Sequence, residues 1–156
     1  MSLVLIPGSF DPMTRGHAEM IRKTAGIFDE VVVGVMGQST KKSMFSLEKR
    51  VEIAKISCAG IHNVRVVSWD GMTADLYRSL GADCMLRGIR NGEDLTFEKE
   101  ILSYHEKNNK DLVTLFWVSG AELADISSTA VRERIREGKD FDGLVAPGAA
   151  ELIRKG

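Results

Sequence analysis

Short apolar runs rich in branched side chains alternate with amphipathic stretches along the whole chain, and this alternation limits the fold more than any other feature. Five such runs predict strands at residues 3–7, 30–36, 64–69, 83–87 and 112–118. Several are apolar at almost every position, which is typical of strands that are covered on both faces. The pattern therefore predicts an α/β fold, a parallel five-stranded sheet with helices on both faces.

The segments between the strands show the spacing of helices. Ile21, Ala25 and Phe28 recur at intervals of four and three, and a second series begins at Leu47, with Ser46 as its predicted N-cap. Further helices are predicted at about 72–80, at about 94–108, after residues 127–129, and at 149–156. Residues 140–148 are predicted to form a loop.

Length, charge and cysteine content set broad limits on what the chain can be. Its 156 residues suit one domain, over residues 1–156, with a sizeable core. The net charge of −1 gives no overall basic field for nucleic acid, so an anionic ligand would need local basic residues. Cys58 and Cys84 form no CxxC pair and are expected to be buried free thiols. Without a membrane-length apolar run or a signal-peptide pattern, we expect a cytoplasmic protein that has no membrane partner.

Unusual polar segments follow several predicted strands, at the edge where α/β sheets bind ligands. The first is PGSFDPMTRGH, residues 7–17. Gly8 permits a tight turn, Ser9 offers a hydroxyl, and His17 stands where a helix begins, beside N–H groups that can receive a phosphate. A plain turn with a histidine at the helix start is the alternative, and spacing alone leaves both open.

The segment after the fourth strand, LRGIRNGEDLTFE at 86–98, holds Arg87 and Arg90. A guanidinium donates several directed hydrogen bonds, which suits phosphate oxygens. The alternative is that these arginines form surface ion pairs with Asp94 or Glu98. Both interpretations stay open at this point.

Two further segments carry hydroxyl and ammonium groups. Ser127, Ser128 and Thr129 open a predicted helix after the fifth strand, where hydroxyls commonly cap the helix and can also hold a phosphate. Lys41 and Lys42 follow the second strand. Two lysines in a polar loop are usually only solvated, although one could reach an anionic substrate at this edge of the sheet.

Several well-known motifs are absent from the sequence. It has no GxxxxGK[ST], no GxGxxG after the first strand and no GxSxG, which disfavours a P-loop protein, a classical dinucleotide fold and an α/β-hydrolase. His62 and His105 form no metal cluster with each other. We expect them to be surface or structural residues, and the sequence predicts no metal-ligating side chain.

Four segments together resemble one enzyme family. GSFDPMTRGH is similar to the (H/T)xGH signature of nucleotidyltransferases related to class I aminoacyl-tRNA synthetases. KKSMFSLEKRVE, RGIRNGEDLTFE and ISSTAVRERI follow in order and narrow the resemblance to bacterial phosphopantetheine adenylyltransferases, over nearly the whole chain. The resemblance implies a Rossmann-like subunit in a homohexamer. It also implies transfer of the adenylyl group of ATP to 4′-phosphopantetheine, with Mg²⁺, to give 3′-dephospho-coenzyme A and pyrophosphate. Feedback binding of coenzyme A is left open.

The resemblance also implies roles for individual residues. His17 matches the histidine that stabilises the transition state. The implied phosphopantetheine contacts are Ser9, Lys41, Thr73 and Arg87. The implied ATP contacts are Ser9, Phe10, His17, Gly88, Ile89, Arg90, Glu98, Leu123, Ala124, Asp125, Ile126, Ser127, Ser128 and Thr129. Leu123, Thr73 and Arg15 depart from the commonest pattern, in which an aromatic, an apolar and a smaller polar residue are frequent at these positions.

The chemistry of such a transfer agrees with the residues. The attacking phosphate is already an anion, so in-line attack needs neither a protein base nor a covalent intermediate. Two alternatives remain at this point. One is another member of the same superfamily, such as a nicotinamide-mononucleotide adenylyltransferase or a glycerol-phosphate cytidylyltransferase. The other is a nucleotide sensor that has the fold but no activity.

Overall fold

A computed structural model describes residues 1–37, 42–108 and 110–155, and strands and helices alternate along it as the sequence predicts. In chain order they are β1 (Leu3–Gly8), α1 (Arg15–Ala25), β2 (Glu30–Met36), α2 (Leu47–Ser57), β3 (Val64–Trp69), α3 (Thr73–Leu80), β4 (Cys84–Ile89), α4 (Gly92–Asn108), β5 (Thr114–Val118), α5 (Ser128–Arg136) and α6 (Ala149–Arg154). A 3₁₀ turn at Asp142–Leu144 lies between α5 and α6.

The five strands form one parallel sheet in the order β3-β2-β1-β4-β5. Strand β1 lies at the centre, where Val4 pairs with Val31 of β2 on one side and with Cys84 of β4 on the other. The order of the strands reverses between β1 and β4. Loops diverge at such a point and leave a crevice beyond the carboxyl ends of the strands, which is where this architecture binds ligands.

Helices cover both faces of the sheet, which confirms the predicted Rossmann-like α/β fold. On one face, Val4 and Val33 pack with side chains from α1, α2, α5 and α6. On the other face, Leu5 and Val32 pack against α3. The alternation of adjacent residues between the two cores is the two-residue period of a strand, and burial on both sides explains why the runs are continuously apolar.

Some boundaries differ from the sequence prediction. Strand β4 continues to Ile89 because its pairing with β5 runs as far as Val118, and β5 itself begins only at Thr114. Helix α4 begins at Gly92, since the Asn91 side chain accepts a hydrogen bond from the Asp94 N–H at 2.9 Å. Residues 140–148 are not simply a loop, because they contain the 3₁₀ turn.

Local predictions about caps and cysteines are confirmed. The Ser46 hydroxyl accepts from the Lys49 N–H at 3.2 Å and so caps α2. Cys58 and Cys84 are buried free thiols, and burial raises the pKa of Cys58 to about 11. Within residues 1–37, 42–108 and 110–155, none of the helices combines the length and apolar character that crossing a membrane requires.

Candidate active site

Two adjoining cavities lie beyond the carboxyl ends of β1 and β4, and they share a wall. The first, of about 190 Å³, is lined by Thr14, Gly16, His17, Met20, Gly88, Arg90, Ser119, Leu123, Ile126, Ser127, Ser128 and Thr129. The second, of about 250 Å³, is lined by Ile6, Pro7, Gly8, Ser9, Phe10, Asp11, His17, Met20, Leu86, Arg87, Gly88, Glu98, Ser128 and Arg132. His17 lines both cavities, so a group bound in either one can meet its imidazole.

The start of α1 fixes the orientation of the His17 ring. Thr14 is the N-cap, and its hydroxyl accepts from the His17 N–H at 3.3 Å. In return, His17 Nδ1 accepts from the Thr14 N–H at 3.0 Å, which completes a capping box. A nitrogen that accepts carries no proton, so the single proton of the neutral ring is on Nε2. His17 is therefore held as a hydrogen-bond donor through Nε2.

The surroundings of His17 keep its ring neutral. Burial, and to a smaller extent the positive charge of Arg90, lower the pKa of His17 from 6.5 to about 4. The ring of Phe10 lies edge-on to the imidazole, with centroids 5.1 Å apart and planes at 84°. A neutral imidazole can donate its one N–H to a phosphate oxygen on which negative charge develops. Because the His17 imidazole is already neutral at pH 7, it carries no second proton to release.

Each cavity is lined by an arginine that pairs with a carboxylate of the segment after β4. Arg87 Nη2 lies 2.9 Å from Glu98 Oε1 in the second cavity, and Arg90 Nε lies 3.2 Å from Asp94 Oδ2 beside the first. The ion pairs that the sequence left as an alternative are therefore present. They do not remove the arginines from the cavities, because both side chains still line them.

The hydroxyls at the start of α5 have partners within the protein. Ser127 caps the helix by accepting from the Ala130 N–H at 3.0 Å, and Ser128 donates to the Pro12 carbonyl at 2.8 Å. Thr129 Oγ1 accepts from Arg132 at 3.1 Å. The N–H groups of Ser128 and Thr129, in the first turn, have no acceptor in the part of the chain that the structure describes. A helix start of this kind binds anions through its backbone.

Two glycines allow the walls of the cavities to approach closely. A Cβ at Gly88 would lie 3.2 Å from the sulfur of Met20, and a Cβ at Gly8 would lie 3.0 Å from the ring of Phe10. Both distances are tighter than ordinary van der Waals contact. A side chain at either position would force Met20 or Phe10, which lie beside His17, to shift.

Most of the residues that the sequence singled out come together at these cavities. Ser9, Phe10, Arg87 and Glu98 line the second cavity, and Gly88 and Ser128 line both. Those in the first cavity only are Arg90, Leu123, Ile126, Ser127 and Thr129.

Four of the predicted residues that the structure describes are not in the linings. Thr73 begins α3, beyond β3, and Ile89 is buried at the end of β4. Ala124 and Asp125 belong to the turns that lead to α5. Lys41 lies outside the described residues.

Three residues that were not predicted as site residues, Asp11, Thr14 and Arg132, also line the cavities. The Asp11 carboxylate accepts from the Met44 and Phe45 N–H groups at 2.8 and 2.9 Å. Arg132 donates to the Asp11 carbonyl at 2.8 Å. Arg132 was detectable, because a residue four positions after Ser128 shares its helix face. Thr14 was detectable as the residue three positions before His17.

The residues at the cavities fit a magnesium ion that keeps water and phosphate ligands. Among the described residues, no group of three or more His, Cys, Asp or Glu is placed to hold a metal. The nearby carboxylates are engaged, Asp11 by two N–H groups, Glu98 by Arg87 and Asp94 by Arg90. Mg²⁺ sheds water reluctantly and is commonly carried by substrate phosphates, so such a donor set accommodates it.

Comparison with known proteins places these features in a family. Residues 5–134 match the family model described as Cytidylyltransferase-like. A phosphopantetheine adenylyltransferase of Flavobacterium psychrophilum is 41% identical over 145 residues, which are 93% of this chain and 95% of that protein. Those of Lachnoclostridium phytofermentans and Finegoldia magna are 36% and 39% identical, and each match covers at least 97% of this chain and 94% of the relative.

A solved structure supports the fold. The crystal structure of a candidate nicotinate-nucleotide adenylyltransferase from Vibrio parahaemolyticus superposes with a TM-score of 0.74. The match covers 99% of this chain and 93% of that one, at 20% identity. At this identity the superposition supports the fold alone, whereas the more similar sequence relatives support the family assignment. On these matches, the chain belongs to the phosphopantetheine adenylyltransferases, in the cytidylyltransferase-like family.

Proposed function

We propose that the protein transfers the adenylyl group of ATP to 4′-phosphopantetheine, giving 3′-dephospho-coenzyme A and pyrophosphate, in coenzyme A biosynthesis. The observation that carries this proposal is the wall shared by two cavities, where His17 contributes to both. Each cavity has an arginine, Arg90 in the first and Arg87 in the second. Two anionic substrates can therefore approach the same imidazole from different sides. The named activity of the curated relatives supplies the identity of the acceptor.

The first cavity suits the triphosphate of ATP. Arg90 and the backbone N–H groups at the start of α5 would receive the β- and γ-phosphates. The remaining ATP contacts implied by the family resemblance are divided between the two cavity linings or lie in segments next to them. They are Ser9, Phe10, Gly88, Ile89, Glu98, Leu123, Ala124, Asp125 and Ile126.

The second cavity suits the phosphate of the acceptor. Arg87 lines it, and the Ser9 hydroxyl belongs to the same wall. On the family resemblance alone, we assign Lys41 to this phosphate and Thr73 as a further contact of phosphopantetheine. Two cations near the acceptor would offset the repulsion between its phosphate and the triphosphate of ATP.

The reaction is a direct displacement at the α-phosphorus. An oxygen of the acceptor phosphate forms a bond to this phosphorus, and the bond to the oxygen that bridges to the β-phosphorus breaks. Pyrophosphate leaves with that electron pair. His17 donates from Nε2 to an α-phosphate oxygen as charge develops there, which is a preorganised stabilisation that water cannot match. Mg²⁺, when bound to the phosphates and water, neutralises part of the charge on the leaving group.

Assembly as a homohexamer is part of the proposal. Support comes from large apolar side chains that are exposed in one chain, Phe97 and Tyr104 on α4 and Leu115 and Val118 on the edge strand β5. Apolar side chains of this size are commonly buried between subunits. Sedimentation equilibrium should give six times the mass of one chain, and Phe97→Glu should reduce it. We also propose a cytoplasmic location and binding of coenzyme A, whose phosphopantetheine part matches the acceptor.

An acceptor panel tests the proposed reaction. Pyrophosphate release is measured from the purified protein with ATP and Mg²⁺, alone and with 4′-phosphopantetheine, nicotinamide mononucleotide or glycerol 3-phosphate. We expect release with phosphopantetheine only. Release with another acceptor would move the activity to a sister family, and a folded protein that binds ATP without turnover would be a sensor.

A further inference from the structure

The loop after β1 contains a strained residue at the wall of the second cavity. Phe10 has a φ of 47°, a conformation that side chains with a Cβ rarely adopt. Its ring touches His17 edge-on and packs over Gly8. Such a conformation persists only where the surrounding structure fixes it, and strained residues of this kind are concentrated at functional sites.

A buried arginine on α2 fixes the residue before Phe10. Arg50 is only 3% exposed. Its Nη1 donates to the carbonyls of Ser9 at 2.8 Å and Met36 at 2.9 Å, and its Nε donates to the carbonyl of Phe45 at 3.2 Å. Among the described residues it has no carboxylate partner. Its guanidinium group therefore donates hydrogen bonds to main-chain carbonyls at the end of β2 and in the loops that follow β1 and β2.

The residue after Phe10 is fixed from two other directions. The buried carboxylate of Asp11 accepts from the N–H groups of Met44 and Phe45, and its carbonyl accepts from Arg132 of α5. The two segments are therefore joined by hydrogen bonds in both directions. Arg50 of α2 donates to the loop after β1, and Asp11 of that loop accepts from the two N–H groups just before α2. Phe10 is thus held on both sides by charge-assisted hydrogen bonds, which are stronger than those between neutral groups.

We propose that Arg50, Asp11 and Arg132 form a clamp that holds Phe10 in its strained conformation and so positions Ser9 and His17, with Arg50 as a positioning residue for the transfer. Arg50 does not line either cavity, so it acts through Ser9 and Phe10 and not on a substrate. The clamp deepens the proposed function and rests on it for its kinetic consequence.

The kinetic test compares Arg50→Lys with Ile53→Val. Lysine keeps the charge but cannot present a planar fork to three carbonyls. Ile53 is fully buried on the same helix and touches neither loop through hydrogen bonds, so its variant measures simple loss of packing. We expect Arg50→Lys to lower kcat by about 10- to 100-fold at saturating substrates, because small displacements of reacting groups cost that much. ATP affinity should change by a smaller factor than kcat, and Ile53→Val should keep its kcat.

A second readout does not depend on the reaction. The ring signals of His17, followed by nuclear magnetic resonance in the ligand-free protein, report its tautomer, its pKa and the ring current of Phe10. In Arg50→Lys we expect a shift of these signals and a pKa of His17 closer to 6.5, since a loosened loop admits water. Ile53→Val should leave them in place. This readout separates failure of the clamp from failure of the proposed activity.

Three outcomes would overturn the clamp. They are an unchanged kcat in folded Arg50→Lys, unchanged His17 signals in that variant, and an equal loss of kcat in Ile53→Val. If Arg50→Lys does not fold, Asp11→Asn removes one of the two carboxylate acceptors and keeps the shape of the side chain. It should move the His17 signals in the same direction, and no movement would equally refute the proposal.

Discussion

Replacement of His17 by alanine should affect catalysis and stability by different amounts, and the structure gives both. The variant removes the Nε2–H donor at the wall between the cavities. Loss of one preorganised donor to developing charge costs about 10²- to 10³-fold in kcat, or roughly 2.7–4 kcal/mol. The variant also removes the acceptor for the Thr14 N–H, half of the capping box. That loss should lower the free energy of unfolding by about 1 kcal/mol and Tm by about 2–4 °C.

Single-turnover measurements with excess enzyme separate the two effects. We expect the rate of adenylyl transfer to fall by the full factor, while calorimetric titration shows a smaller change in ATP affinity, because the donor acts mainly in the transition state. Ile153→Val is the control, because Ile153 is buried outside both cavity linings and loss of one methylene there costs about 0.5–1.5 kcal/mol. That control should keep its transfer rate. A His17→Ala enzyme with near-normal turnover would refute the assigned role.

Three further predictions concern charge at the site. Because the folded pKa of His17 is lowered from 6.5 to about 4, the unfolded chain binds this proton first, so the free energy of unfolding should fall as the pH falls from 6.5 towards 4. Urea unfolding should show a smaller decrease in the free energy of unfolding between pH 7 and pH 5 for His17→Gln than for the unaltered protein. An identical decrease would contradict the lowered pKa of His17. Glu98→Gln should destabilise the fold by about 1–3 kcal/mol, between the values for exposed and buried pairs, and raise the KM of the acceptor, because Arg87 loses its orienting partner. An unchanged free energy of unfolding in urea would contradict a stabilising role for the Arg87–Glu98 ion pair. Lys41→Ala should weaken phosphopantetheine binding more than ATP binding, and equal losses in titration would argue against its assignment.

The fold was largely readable from the sequence because the central strands β1 and β2 are buried on both faces. After Glu30, the run at residues 30–36 has no polar position to break the pattern, and Ser46 marks the start of α2 through an ordinary N-cap. Strand ends were less readable, since the extension of β4 to Ile89 depends on pairing with β5. Such pairing is a tertiary contact that local sequence does not record.

The site was readable in part. Their positions after predicted strands singled out His17, Arg87 and Arg90, and the family resemblance then implied their roles. The structure brings them to the same pair of cavities. Arg50 was not predicted as a site residue because it ends the charged run Glu48–Arg50, which is typical of an exposed helix face. Its burial against three carbonyls is visible only in three dimensions. The positive φ of Phe10 was not predicted either, since glycine, not phenylalanine, is the usual signal for it.

Direct transfer between two cavities that meet at His17 is the central claim, and the stereochemistry at phosphorus tests it most directly. The reaction is run with ATP in which one α-phosphate oxygen is replaced by sulfur, in a single configuration, and the configuration of the thio-substituted dephospho-coenzyme A is determined. One in-line displacement predicts inversion at the α-phosphorus. Retention would mean two displacements through a covalent enzyme intermediate, and it would contradict direct attack by the acceptor phosphate.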